Sequence, residues 1–577
     1  MYQAGSMFQS GETDRQRLER GLAQVKIERS SFEAHWRDLG EQFYPRRTRF
    51  FDSDRNRGDK RHNKIINCAG PLAARTLRSG MMAGITSPAR PWRRLTTPDP
   101  DLAEYQPVKE WLSVVNKRMA TVSLRSNLYH ALPYVYGDAS VFGTGPIGIF
   151  DDDEDGMRFY TFPAGSYWLA CNQRGIVDTF WRELQMTVRQ MVLAFGNPQA
   201  TPANRWANFS TVVQRAWDAG NYETPISVMQ YIGPNLGYHP ERLDAKYKKF
   251  KSCWYEKGTS GGLRGGDADK FLKESGYDLF PIMGLRWNAT QEDVYGTSCP
   301  GMEALGDTRE LQLLERRKSR AIEKQVNPPL VGPTSLRSQK TSLLPGDITY
   351  SDDRDGMKGL RSIHDTTVQI NQVLEDIATK ERRISRCFYE DLFLMLAQME
   401  GIQPRNAKEI AVREEEKLLA LGPVLESCND DLLDPLTDLQ FDKMLKMGLV
   451  PRPPDEIMGM DLRVEYVSIM AQAQKLVGVA GLERFVGFVG NMLAAFPEVR
   501  HKVNAFTIVD DYADMMGVNP KAVPSDEEAV ASLQQEQQAI AQSQAGEKAV
   551  QSAQAAKLLS ETDTTTPSAL TALLGGR

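Results

Sequence analysis

The sequence predicts a predominantly helical α+β protein, and three observations carry that expectation. Apolar residues recur at helical spacing in Leu18, Leu22, Val25, Phe32, Trp36, Leu39 and Phe43. Short β-like runs bounded by turns replace that period over 145–185 and again over 225–290. Two long charged helical stretches, 302–325 and 365–399, flank a compact insert that opens on Asn327-Pro328-Pro329.

Taken in order, the first period gives a helix over 12–43, followed by a basic loop with Arg46, Arg47, Arg49, Arg55, Arg57, Lys60 and Arg61. A second helix spans 64–84 and is stopped by the prolines of Ser87-Pro88-Ala89-Arg90-Pro91-Trp92. Residues 107–142 read as one helical stretch. Strands are expected at Ile147–Phe150, Met157–Phe162, Tyr167–Cys171 and Ile176–Leu184, with a helix starting near Thr187. Further strands fall at Ile226–Ile232, Lys251–Glu256 and Phe280–Asn288, interrupted by the glycine-rich loop 258–266.

The second long helix has a capping-box start, Thr366 with Gln369, and a stripe of Ile370, Val373, Leu374, Ile377, Ile384, Phe388, Leu392 and Met395. At about 1.5 Å per residue it would reach roughly 50 Å. The first long helix has a thinner stripe, Leu311, Leu314 and Ile322, interrupted by Lys318. Narrow stripes surrounded by charge suit helices that pack edge-on against copies of themselves. A loop over 401–405 leads to a helix capped by Asn406 and Glu409; Pro435 opens another that ends near Gly448. Helices fill about 468–518, and beyond Pro524 a Gln/Ala/Ser-rich tail is either a solvated helix or disordered.

A chain of 577 residues has room for three or four domains. Its 70 basic and 75 acidic residues leave a net charge of −5, which argues against a surface coated for nonspecific DNA binding. The six cysteines, Cys68, Cys171, Cys253, Cys299, Cys387 and Cys428, are scattered without a Cys-x-x-Cys pair, so neither a disulfide framework nor a zinc site is expected. The N-terminal segment lacks the apolar stretch of a signal peptide. The most apolar later segment, 476–496, holds Glu483, Arg484 and Asn491 near its middle and reads as a buried helix rather than a membrane span.

Sequence motifs for catalysis fail on context. Gly143-Thr144-Gly145-Pro146-Ile147-Gly148 fits a dinucleotide fingerprint, but here a helix precedes the glycines and a strand follows, the reverse of what phosphate binding needs. Asp151, Asp153, Asp155 and Gly156 begin like a calcium loop, yet the twelfth position is Phe162, so an acidic hairpin tip explains them better. There is no Gly-Lys dipeptide for a phosphate loop, and no spacing points to a metal, a cofactor or a catalytic residue. One charge pattern survives: over 315–324 Arg316, Arg317, Lys318, Arg320 and Lys324 stand against Glu315 and Glu323, and the insert adds Arg337 and Lys340. Such a run is either an exposed helix laced with ion pairs or a positive surface facing a polyanion.

Several stretches in one order resemble the head-to-tail connectors, or portal proteins, of short-tailed phages. Ile66-Asn67-Cys68-Ala69-Gly70 through Pro91-Trp92 is similar to that family's N-terminal helix and its exit. Tyr136-Gly137-Asp138-Ala139 through Arg158-Phe159-Tyr160, then Gly175-Ile176-Val177-Asp178, resembles its β-rich wing. Gly306-Asp307-Thr308 through Val326-Asn327-Pro328-Pro329-Leu330 resembles the helix entering the clip, and Arg463-Val464-Glu465-Tyr466-Val467-Ser468 with Ala471-Gln472-Ala473-Gln474-Lys475 a later family stretch. The resemblance covers most of 10–520.

It implies a non-enzymatic ring, expected to be a dodecamer, at one capsid vertex of the virion, assembled in the host cytoplasm. Double-stranded DNA would pass through it during packaging and ejection, with the terminase motor, tail adaptors, scaffold and major capsid protein as partners and no membrane. The expected division is an N-terminal wing 1–296, stem helix 297–325, clip 326–364, stem helix 365–400, channel loop and long wing helices 401–467, helical crown 468–523 and tail 524–577. Lys318, Arg320, Lys324, Arg337 and Lys340 are the expected DNA-facing cations, with Gln403, Arg405 and Lys408 near the constriction and Asn327, Pro328 and Pro329 as the clip turn. The alternatives are a tail adaptor or ejection protein of the virion, or a packaging-motor subunit.

Overall fold

A computed structural model of the chain describes residues 13–48, 64–99, 105–196, 205–257, 270–290, 292–326, 330–331, 361–362, 370–393 and 421–467, with Leu102 and short runs beyond 484. The chain divides into two compact units, Met1–Asp99 with Gln106–Ala471, and Pro100–Tyr105 with Gln472–Arg577. The clip turn Asn327-Pro328-Pro329, Arg337, Lys340, the Thr366 cap, Gln403, Arg405, the Asn406 cap and Lys408 lie outside the described residues, as does the glycine-rich loop 258–266.

In the first unit, α1 (Asp14–Gln42) begins with a capping box between Thr13 and Gln16. It lies on a five-stranded antiparallel sheet, β4 (Tyr167–Cys171), β5 (Val177–Thr187), β6 (Pro225–Pro234), β7 (Phe250–Glu256) and β8 (Lys273–Tyr277), paired in that order. Strand alternation separates two cores. Leu22 and Val25 of α1 meet Trp168, Trp181, Met229, Tyr231, Cys253 and Tyr255 on one side. Val228, on the opposite side of β6, packs with two short helices, α5 (Val188–Phe195) and α6 (Thr211–Asp218), through Met191, Phe209 and Val213. The predicted start of α5 at Thr187 is a capping box with Gln190.

Two buried arginines fasten α1 to the sheet. Arg15 donates to the carbonyls of Glu256 (2.5 Å) and Lys270 (3.2 Å), and Arg29 to those of Gly165 (3.2 Å) and Tyr167 (2.7 Å). Each also reaches a glutamate four residues on, Glu19 and Glu33, so neither charge is buried without a counter-charge.

The stretch read as one helix over 107–142 is two, α3 (Gln106–Arg125) and α4 (Leu128–Phe142). The break has a use: the Asn127 side-chain amide donates to the Phe159 carbonyl and accepts from its N–H, both at 2.8 Å, like an extra strand residue. Gly143 then ends α4 with φ +82°, and a Cβ there would lie 2.1 Å from the Gly296 carbonyl oxygen. The glycine-rich motif is therefore a helix stop leading into β2 (Thr144–Asp152), in the helix–glycine–strand order expected from the sequence. β2 lies between β3 (Gly156–Thr161) and β9 (Ile282–Arg286), and the acidic residues 153–155 form the β2–β3 hairpin tip.

Several elements were not foreseen. β8 and α6 complete the five-stranded sheet and its helical cover, while β1 (Arg93–Thr96) pairs antiparallel with β12 (Arg463–Tyr466). These two strands are short and charged, and only their pairing, with Arg94 and Glu465 opposite one another at 2.6 Å, makes them a ladder. The helix expected from Pro435 is α9 (Asp434–Lys446), preceded by one π-helical turn at Asn429–Leu433. In the second unit the described residues include helical runs at 485–492 and 529–538. Among the described residues no helix is long and apolar enough to cross a membrane.

Candidate functional site: a two-helix hairpin

The two long charged stretches form helices α7 (Pro300–Val326) and α8 (Ile370–Cys387), which pack against each other. α8 is shorter than predicted: its 18 residues span about 27 Å. Phe388 and Tyr389 form a turn, with Tyr389 at φ +52°, before helix resumes. The turn lets Phe388, Leu392 and Phe393 enter the core, where Phe388 meets Phe43 at 5.4 Å between ring centroids.

The N-terminal half of α7 is anchored in the body. Pro300, Gly301, Ala304, Leu305, Thr308, Leu311 and Gln312 are buried, a run at helical spacing. Gln312 acts as a socket for the segment before α2 (Ala69–Ile85): its Oε1 accepts from the N–H groups of Ile66 (2.7 Å) and Asn67 (2.9 Å), and its Nε2 donates to the Asn67 carbonyl (2.8 Å). The Asn67 amide then donates to Glu315 on α7 (3.1 Å) and Glu381 on α8 (2.8 Å), joining both helices to the body. Lys380 of α8 pairs with Asp307 (2.9 Å) and Glu310 (2.5 Å) of α7, and these bonds raise its pKa.

Beyond Gln312 no residue of α7 is buried. Leu313, Ile322 and Val326 are exposed, as is Leu374 on α8, whose buried positions are Ile377 and Ile384. The charged candidates divide within this outer half. Lys318 is half-buried and pairs with Glu315 at 2.5 Å. Burial pushes the Glu315 carboxyl up, but hydrogen bonds from Lys318 and Asn67 outweigh it and hold the group below the usual carboxylate value. Arg320 and Lys324 are exposed and make no ion pair with a described residue. Arg317 is exposed likewise, and at 3.6 residues per turn Arg317, Arg320 and Lys324 fall within about 60° of one another, opposite the stripe that continues from Thr308.

The structure adds two cations to those expected from the sequence. Arg382 and Arg386 of α8 are exposed on the side away from Ile377 and Ile384. The same apolar period that marked the stripe places them, at i and i+4, on the opposite face. At the far end of the hairpin β10 (Leu330–Val331) pairs with β11 (Arg361–Ser362), so the insert enters and leaves side by side. Among the described residues there is no cluster of His, Cys, Asp or Glu able to hold a metal.

Comparison with known proteins identifies relatives of the chain. A family described as bacteriophage head to tail connecting protein matches residues 15–523. The portal protein of Salmonella phage epsilon15 is 46% identical over 564 residues, 97% of this chain and 98% of that protein. A probable portal protein of Bordetella phage BPP-1 is 40% identical over 562 residues, again 97% and 98% of the two chains.

Proposed function

The chain belongs to the bacteriophage head to tail connecting protein family, and on that premise we propose that it is the portal of a short-tailed phage, a structural ring at one capsid vertex through which double-stranded DNA is packaged and ejected. The carrying observation is the hairpin, whose outer half buries no side chain of α7 within one protomer. Two helices held firmly at one end and bare at the other gain burial only from neighbours, and a heterologous interface repeated around an axis closes into a ring. We assign twelve subunits to that ring, with assembly in the host cytoplasm.

In this reading α7 and α8 are the stem, and the insert closed off by β10 and β11 is the clip that docks the terminase motor and then the tail adaptors. The sheet with α1, α5 and α6 is the wing, the side nearest scaffold and major capsid protein, and residues 468–523 are assigned to the crown. Arg320 and Lys324, together with Arg317, are the stem cations that face DNA, while Lys318 positions Glu315. Arg337, Lys340, Gln403, Arg405 and Lys408 extend the same channel assignment, and Asn327, Pro328 and Pro329 its turn into the clip. Sliding DNA requires few phosphate contacts, since each adds affinity through counterion release, and a net charge of −5 with a sparse basic line meets that need.

The test is negative-stain imaging and mass measurement of the purified protein, followed by packaging assays with R317Q/R320Q/K324Q. A closed ring with a central hole, and assembled rings of the variant that package DNA poorly, are expected. A monomer that binds liposomes would favour an ejection protein, and substantial intrinsic ATP turnover a motor subunit; either outcome removes the portal assignment.

A further inference from the structure

A second group of cations lies away from the hairpin, on α2, α4 and the turn after α1. Its centre is Tyr134 on α4, 37% exposed. The guanidinium carbons of Arg47 and Arg78 lie 5.0 and 5.7 Å from its ring centroid, within range of cation–π attraction. Arg47 is committed: its Nε lies 3.0 Å from both carboxylate oxygens of buried Asp138, and its Nη2 donates to Thr161 at 3.1 Å.

Arg78 is not committed. Its Nε is buried without a hydrogen-bond partner, and it makes no ion pair with a described residue. Its side chain crosses α4 at Gly137, where a Cβ would lie 3.0 Å from the Arg78 Cδ, so the glycine keeps that path open. Arg75, three residues earlier on α2, is exposed on the same helix face. Two guanidinium groups, those of Arg47 and Arg78, thus act on one buried carboxylate that Arg47 already satisfies. Burial pushes Asp138 up, and Arg47 and then Arg78 pull it back, so the nearby positive charge is felt at the carboxyl.

An unpaired arginine fork beside an exposed aromatic ring fits a planar or tetrahedral oxyanion. We propose that Arg75, Arg78 and Tyr134 bind a phosphodiester group of the DNA backbone, at a site separate from the stem cations. The proposal rests on the portal reading for its polyanion. It takes nucleic acid rather than an acidic polypeptide as the occupant because a portal surrounds double-stranded DNA, while the Tyr134 ring holds the arginine side chains in place.

The experiment measures binding of a short fluorescent duplex to the full-length protein by anisotropy over a salt series. R75Q/R78Q should weaken binding and lower the slope of log affinity against log salt by about 1.8, two contacts' worth. R75Q alone, at an exposed position, should lower it by about 0.9 with an unchanged melting curve, which separates lost contact from lost fold. R317Q/R320Q/K324Q is run in parallel. If only that variant changes the slope, the site on α2 and α4 is refuted while the stem reading stands. If the wild-type protein binds no duplex at low salt, both fall. If poly-glutamate displaces the duplex as well as polyphosphate of equal charge does, the site serves an acidic polypeptide and the proposal is overturned.

Discussion

The sheet body around α1 and the α7–α8 hairpin are both amphipathic, but they bury their apolar faces in different places. In the sheet body, α1 and the five-stranded sheet close around Trp36, Tyr167, Trp168, Trp181, Tyr255 and Tyr295, all buried within one chain. Trp36 has no exposed surface and meets Tyr295 edge-on at 5.2 Å. In the hairpin, burial on α7 stops at Gln312, while Leu313, Ile322 and Val326 face outward. The sheet body closes its core within one chain; the outer half of α7 does not.

Four measurements sharpen or break that contrast. The largest loss of protomer stability is expected for Trp36→Ala, about 3–5 kcal/mol by denaturant unfolding, because a fully buried indole leaves a cavity. Ile384→Ala, at the buried root of α8, should cost about 2–4 kcal/mol. A small cost there would mean that the hairpin's root also lacks a core of its own. Ile322→Asp with Leu374→Asp should change protomer stability by no more than about 0.5 kcal/mol, since both positions are exposed, yet abolish the ring in light scattering. Rings that form normally would show that the bare face is not the subunit contact.

The smallest effect is set by pH. Asp278 accepts hydrogen bonds from Lys446 (2.8 Å) and Lys248 (3.0 Å), which hold its pKa below the ordinary 3.8 despite burial acting the other way. A depressed carboxyl stabilises the fold above its ordinary pKa and loses that contribution as pH falls through the folded value. Asp278→Asn should therefore flatten the acid limb of the stability curve slightly and leave neutral-pH stability within about 1 kcal/mol, as for a solvent-exposed pair. A steep acid limb that survives in the variant would assign it to other carboxylates.

Much of this was legible from local pattern. The capping box at Thr187, the helix stop at Gly143, the acidic hairpin tip after Asp152 and the start of α9 at Pro435 each follow from residues within a few positions of one another. The single helix read over 365–399 was over-extended, because Phe388 and Leu392 keep helical spacing while turning away toward Phe43. β1 and β12 carry no alternating apolar pattern, so a pairing in which Arg94 meets Glu465 across 371 positions left no local signal. Within the candidate site, the basic run of α7 was visible, but its division was not. Lys318 and Arg317 are neighbours in sequence and differ only in which side of the helix meets Glu315 and the body.

The sequence by itself determined the element types, the charge run and the narrow stripes, because helix periodicity, capping and turn chemistry act over a few residues. The ordered family stretches likewise identified the lineage without coordinates. Only the tertiary structure decided which of those charges are already paired. Asn67, Gln312 and Asp138 choose their partners across 91 to 314 positions of chain, and a cation's freedom depends on what the fold brings beside it.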